Sequence, residues 1–222
     1  MPTEAVRAVG LTRSYGDTVQ ALRGVDLSLP PGSFTALVGP SGSGKSTLLR
    51  LIGCLDRADA GALTIGGVEV TRLSRRRRTR LRRRQIGFLF QAPADNLLGY
   101  LTVREHVELG ARLRGLSKRD KQVDELLDAL GLADRARHRP SQLSGGEQQR
   151  VAIAFAAIGA PAIFAADEPT GQLDHTTVDG VLAAFRVLAS RGIAVLAATH
   201  DPAVSRRADR VITMRDGVVD GA

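Results

Sequence analysis

Short apolar runs alternate along the chain with segments of helical periodicity. Phe34-Thr35-Ala36-Leu37-Val38 has the length and content of a buried strand, and Leu48-Leu49-Arg50-Leu51-Ile52 just after it are good helix formers. Residues 86–90, 162–166, 193–198 and 210–214 read as further strands, the last meeting a turn at Asp216-Gly217, with a helix predicted from about 175 to 190. Nearer the N-terminus, residues 6–11 and 25–29 read as two strands with Tyr15 on the loop between them. Leu63 to Val70 alternates around Gly66-Gly67, a hairpin pattern. From about 92 to 158 the pattern becomes helical. Val103, Val107, Leu109 and Leu113 mark one helix, Val123, Leu126, Leu127 and Leu130 a second closed by Gly131, and a third opens at Ser144-Gly145-Gly146. Strands alternating with helices predict a mainly parallel sheet covered on both faces, here with a helical block inserted between strands.

Charge changes this picture in one place only. The net charge is +8, but Ser74 to Arg84 alone holds eight arginines and no acid, which leaves the rest of the chain neutral. Three readings of that stretch stand side by side: a solvated helix face, contact of Arg75 to Arg84 with anionic lipid headgroups, and nucleic-acid binding. The third lacks the interleaved aromatic platform such sites use, and no nucleic-acid partner is expected. Cys54 is the sole cysteine, which excludes an internal disulfide and fits a reducing compartment; it is expected on the helix after residue 45 as a small apolar residue. Met1 to Ala5 lacks the features of a signal peptide. The longest uncharged run, residues 151–166, is interrupted by Gly159 and Pro161 and falls short of the roughly 20 residues of a membrane span.

Gly39-Pro40-Ser41-Gly42-Ser43-Gly44-Lys45-Ser46-Thr47 matches G-x-x-x-x-G-K-[ST] between the predicted strand and helix, the context a phosphate-binding loop needs. Glycines let the main chain wrap phosphates, and the helix N-terminus faces the anion. Lys45 is then expected at the β- and γ-phosphates and the Ser46 hydroxyl on Mg²⁺. Asp167 and Glu168 end an apolar strand, which presents a carboxylate beside that metal; alternation along the strand points Glu168 to the other face. Ser144-Gly145-Gly146 forms a helix N-terminus free of blocking side chains, suited to an anion; taken alone it is equally an ordinary serine cap with flexible glycines.

Leu143-Ser144-Gly145-Gly146-Glu147-Gln148, Asp167-Glu168, Gln91, Gly171-Gln172-Leu173-Asp174 and His200 occur in a fixed order around the phosphate loop. On these residues the chain resembles, over essentially its full length, the nucleotide-binding subunits of ABC transporters. The macrolide-export and lipoprotein-release branch is the most similar. The resemblance implies an α/β fold: a P-loop NTPase core with a mainly parallel sheet, an antiparallel β subdomain and an inserted α-helical subdomain. It divides one ABC ATPase domain, 1–222, into core and β subdomain (1–91 and 160–222) and helical subdomain (92–159). It further implies ATP and Mg²⁺ as cofactors, and a self-dimer in which Ser144, Gly145, Gly146 and Gln148 meet ATP bound to the other subunit. Glu168 is implied as general base, Gln91 as a sensor of Mg²⁺ and water, and His200 as a contact to the γ-phosphate that holds Glu168. Asp174 is implied in communication between the two sites. Tyr15 is expected to stack on adenine, the alternative being a half-buried core tyrosine. His106, His138 and His175 match nothing and are expected at the surface.

The implied activity is ATP hydrolysis that drives an integral membrane permease from the cytoplasmic face of the membrane. A mechanical or regulatory ATPase acting on a non-transporting membrane partner is the other reading. Phe155-Ala156-Ala157 stands where the family usually has Arg-Ala-Leu, Gln172 replaces a commoner Asn, and residues 91–96 differ from the usual pattern. None of these departures removes a catalytic position.

Overall fold

The computed structural model describes residues 4–16, 19–91, 96–117, 119–171, 173 and 175–220. Two sheets organise them. The larger joins β3 (Phe34–Val38), β6 (Ile86–Leu89), β7 (Ile163–Asp167), β8 (Ala194–Thr199), β9 (Arg210–Arg215) and β10 (Val218–Asp220) in the order β10-β9-β3-β8-β7-β6. All neighbours are parallel except β10 and β9. The smaller is antiparallel, ordered β2-β1-β4-β5, from β1 (Val6–Tyr15), β2 (Val19–Leu29), β4 (Ala60–Ile65) and β5 (Val68–Glu69). The helices are α1 (Lys45–Ile52), α2 (Arg75–Gln85), α3 (Val103–Arg114), α4 (Arg119–Ala129), α5 (Gly145–Ala157), α6 (His175–Ser190) and α7 (Pro202–Arg207).

The parallel strands are continuous apolar runs because both of their faces are buried. Their alternate side chains enter different cores. Phe34, Ala36, Phe164, Ala166, Val195 and Ala197 join α3 to α6, with Phe34 and Phe164 against Phe185 at ring separations of 5.5 and 5.8 Å. Leu37, Ile163, Ala165, Leu196 and Ala198 join α1 and the antiparallel sheet. Helical block and small sheet thus clasp opposite faces of one parallel sheet, whose strand carboxyl ends are left open along one edge.

Three local expectations need correction. Tyr15 ends β1 instead of lying on a loop, because β1 carries on past Leu11 through register shifts that its polar residues 12–14 disguise in the pattern. Cys54 lies past the end of α1 at φ +52°, although it is buried as expected. His106 is 1% exposed instead of at the surface. The hairpin at Gly66-Gly67 forms as expected, with both glycines at positive φ, the two-residue turn that matches strand twist.

Candidate nucleotide site

Parallel pairing gathers residues far apart in sequence. Val38 pairs with Thr199, Asp167 with Ala198 and Leu89 with Ala166, so the loops after β3, β6, β7 and β8 leave from one line. Over that line lies an open cavity of about 940 Å³, within the range of small-ligand sites. Tyr15, Gly39, Pro40, Ser41, Gly42, Gly44, Lys45, Ser46, Thr47, Gln91, Asp167, Glu168 and His200 all line it.

The phosphate loop is shaped by close packing. Gly44 caps α1 at φ +105°, and a Cβ there would come within 2.4 Å of the Ala21 carbonyl oxygen and 2.8 Å of Met214 Cε. No other residue fits. Ser43 is buried and lies outside the cavity lining; its carbonyl accepts from the Gly217 N–H at 3.0 Å. The Lys45 amine donates to the carbonyls of Gly39 and Pro40 at 2.8 and 2.9 Å, so the loop closes around its own lysine.

Ser46 Oγ donates to Asp167 Oδ1 at 3.2 Å. Burial pushes the Asp167 carboxyl above its ordinary value, with Glu168 adding to the shift and the Ser46 hydroxyl and the Arg50 and Lys45 charges opposing it. A cation placed there would relieve that cost. Among the described residues no group of three or more His, Cys, Asp and Glu forms a protein metal cage. A hydroxyl and a carboxylate beside a phosphate cradle are instead the hard-oxygen, partly protein-supplied set that Mg²⁺ takes together with phosphates. The residues fit that ion.

Glu168 does not follow strand alternation. β7 stops at Asp167, and Glu168 turns at φ +45° while its N–H donates to the Ala198 carbonyl at 2.9 Å. The turn brings both carboxylates into the same cavity, where alternation would have separated them. Glu168 Oε1 lies 3.0 Å from His200 Nδ1, and Thr199 Oγ1 donates to its Oε2 at 3.3 Å. Asp201 supports this corner: its N–H donates to Thr199 Oγ1, and its carboxylate accepts from Thr170 Oγ1 and from the Ala203 N–H at the start of α7. Asp201 also caps α7, and Asp followed by Pro is a legible helix start. Arg23, Asp216 and Gly217 also line the cavity without any motif to announce them.

Ser144, Gly145, Gly146 and Gln148 lie outside this lining, at the N-terminus of α5. Ser144 and Glu147 form a reciprocal cap there: the Glu147 N–H donates to Ser144 Oγ at 3.2 Å and the Ser144 N–H to Glu147 Oε2 at 2.8 Å. Gly146 is buried, and a Cβ on it would meet Thr177 Cγ2 at 1.8 Å, so its bareness serves packing against α6. Gln148 Nε2 donates back to the carbonyls of Pro140 and Leu143, which fixes the approach to the helix. Only Ser144 and Gly145 are exposed. Asp174 lies outside the described residues.

A family model described as ABC transporter matches residues 22–171. The lipoprotein-releasing system ATP-binding protein LolD 1 of Rhodospirillum rubrum is 43% identical over 228 residues, covering 100% of both chains. A LolD of Maricaulis maris is 50% identical over 199 residues, 88% of this chain and 86% of its own. The macrolide export ATP-binding/permease protein MacB of Azoarcus sp. is 43% identical across 97% of this chain, which spans only 33% of that longer relative. Among solved structures, a dimeric post-hydrolysis state of the ATP-binding cassette MJ0796 bound to ADP and Pi superposes with a TM-score of 0.81 at 38% identity, covering 97% of this chain and 96% of that one. Matched by the family model over most of its length and aligned end to end with an ATP-binding relative, the chain belongs to the ABC transporter family as one of its ATP-binding cassettes.

Proposed function

We propose that the chain hydrolyses ATP as a dimer and couples the cycle to a separate integral membrane permease. Export, or extraction of a lipid, lipoprotein or peptide from a membrane, is the work assigned to that pair. The observation that carries the reading is the Glu168–His200 pair, 3.0 Å apart, facing a phosphate loop whose Ser46 is bonded to Asp167. The relatives named for lipoprotein release and macrolide export supply the choice of work.

In this reading Tyr15 stacks on adenine, Gly39 to Thr47 enclose the phosphates, and Lys45 exchanges its loop carbonyls for β- and γ-phosphate oxygens. Ser46, Asp167 and Gln91 hold Mg²⁺, which when bound neutralises phosphate charge. Glu168 takes the proton of the attacking water, and His200 and Thr199 fix the carboxylate that receives it. Ser144 and Gly145 of a second chain cover the phosphates from the far side, with the Ser144 hydroxyl, the Gly145 N–H and the helix dipole facing the anion. Gly146 and Gln148 shape that helix end, and Asp174 belongs to the loop between the two sites. The dimeric cassettes of similar sequence support this pairing. Residues 92–159 act as the unit that passes motion to the permease. The cassette works at the cytoplasmic face of the membrane; among the described residues no helix is long and apolar enough to cross the bilayer.

The test is capture of the Glu168→Gln chain with Mg-ATP from gently solubilised membranes. A multi-span permease co-purifying in an ATP-dependent way is expected. Recovery of ribosomes or DNA alone, or of a self-dimer without any membrane protein, overturns the coupling and leaves the ATPase.

A further inference from the structure

One wall of the cavity is Tyr15, whose side chain lies at the end of β1 and is 37% exposed. An exposed tyrosine there is free to turn about two torsions, yet this one is fixed on two sides. Its hydroxyl donates to Asp56 Oδ2 at 2.9 Å. The Arg13 guanidinium lies over the ring, 4.8 Å from its centroid. Arg13 and Tyr15 are two residues apart on one strand and so share a face. The circuit closes between the partners: Arg13 Nη2 stands 3.0 Å from Asp56 Oδ1, and Arg13 Nη1 donates to Asp59 Oδ1 at 2.8 Å.

Each member is held by something further. Asp59 Oδ2 accepts the Ser14 N–H at 2.7 Å, and its own N–H donates to the Thr12 carbonyl, so it is stitched to β1. The Asp56 carbonyl accepts from Arg78 on α2. Against the pull of burial, hydrogen bonds from the Arg57 N–H, the Tyr15 hydroxyl and Arg13 keep the Asp56 carboxyl below its ordinary value, so the circuit keeps its charges around neutral pH. Bonding to Asp59 raises Arg13 in turn.

We propose that Arg13, Asp56 and Asp59 form a clamp that sets the Tyr15 ring as a ready platform for the nucleotide base, which makes Arg13 and Asp56 positioning residues for base recognition. The inference rests on the reading of Tyr15 as the adenine platform. With the guanidinium on one face and the hydroxyl tied at the edge, the base stacks as a third layer on the remaining face. The ring is ordered before the nucleotide arrives, so binding does not bear the loss of that side-chain freedom. The guanidinium contributes the attraction of a cation for an aromatic face, which its planar shape makes with little loss of its other bonds. A stacking platform reads no base edge. The clamp therefore acts alike on adenine and guanine nucleotides, and not at all on a polyphosphate without a base.

The experiment compares Arg13→Ala with the parent chain for binding of ATP and of inorganic tripolyphosphate, together with KM and kcat. ATP affinity is expected to fall about three- to tenfold, the range set by one side chain that must now be ordered on binding. The change falls on KM more than on kcat, and tripolyphosphate binding stays as it was. Arg13→Lys restores part of the loss, because a lysine keeps the cation but cannot fork between two carboxylates. Unchanged ATP affinity in Arg13→Ala, with a clear loss in Tyr15→Ala, overturns the clamp and leaves the platform. Unchanged affinity in both overturns the platform as well. An equal loss for ATP and tripolyphosphate marks a general disturbance of the site and also overturns the clamp.

Discussion

Glu168 Oε1 and His200 Nδ1, 3.0 Å apart, bridge the ends of two neighbouring parallel strands, and Glu168 reaches this position only through a left-handed turn at φ +45°. A non-glycine residue held there carries strain on the order of 1–3 kcal/mol, which the surrounding bonds to Ala198 and Thr199 offset. The strain aims the carboxylate into the cavity beside Asp167.

Residues that act through one another lose activity non-additively. Glu168→Gln and His200→Ala are each expected to lower kcat by about a hundredfold or more while ATP still binds. The double variant is expected within about threefold of Glu168→Gln alone, because His200 then has no base to hold. Single-turnover rates of the four proteins check this. A double loss equal to the product of the two single losses would mean that His200 works independently of Glu168.

Gly146 gives a prediction about packing. Its missing side chain is required by Thr177, whose Cγ2 would stand 1.8 Å from a new Cβ and whose own Cβ would stand 3.1 Å away. Gly146→Ala should push α5 off α6 and destabilise the fold by about 1–3 kcal/mol. Adding Thr177→Ser removes the clashing methyl and should recover part of the loss. Urea midpoints of the single and double variants measure both effects, and a neutral Gly146→Ala would contradict the close packing.

The buried strands were legible because burial on both faces leaves an apolar run with little ambiguity, as in Phe34–Val38 and Ile163–Asp167. The phosphate loop and the Asp167-Glu168 pair were legible as motifs on those strands. Other features depend on contacts that no linear pattern encodes. Glu168 departs from the side that alternation predicts, because alternation ends where the backbone turns left-handed. His106 looked like a surface residue because nothing in a helical repeat announces that both ring nitrogens find backbone partners. Arg13 lies more than forty residues from Asp56 and Asp59 and meets them only because β1 and β4 pair. Ser144 and Gly145 lie outside the lining of their own chain's cavity, which the motif at the start of α5 does not announce.

Arg114 supports a prediction about the seam between the arginine-rich helix and the helical block. From the last turn of α3 its guanidinium donates to the carbonyls of Arg83, Arg84 and Ile86 at 3.1, 3.2 and 3.0 Å, and to that of Ala156. Arg83 returns a bond to the Leu113 carbonyl at 2.7 Å. Burial lowers the Arg114 pKa to about 10, which still leaves it charged at neutral pH. Arg114→Met keeps much of the apolar stem but strands these carbonyls, and should destabilise by about 2–4 kcal/mol. Arg114→Lys should recover little, as a compact ammonium cannot span four acceptors. Denaturant unfolding decides; a loss below about 0.5 kcal/mol would place the seam's strength elsewhere.

His106 gives the pH dependence. Its Nε2 accepts the Leu98 N–H at 2.9 Å and its Nδ1 lies 2.8 Å from the Thr102 carbonyl, so the ring is neutral with its proton on Nδ1. A second proton would go to Nε2 and set two donors against each other. Burial pushes the pKa below the ordinary 6.5, while the Thr102 carbonyl and Glu105 pull the other way. The folded chain therefore resists a proton that the unfolded chain accepts. Stability from this group is full above about pH 6.5 and is lost as pH falls from there through the lowered folded value. His106→Gln should be less stable near neutrality but should lose less on acidification between about pH 7.5 and about pH 5.5. Melting temperatures of both proteins across that range provide the comparison. Parallel curves would show that His106 does not titrate in the window. A converging pair would mean that acid loosens the Leu98 anchor, and with it the exposed Tyr100 that precedes α3.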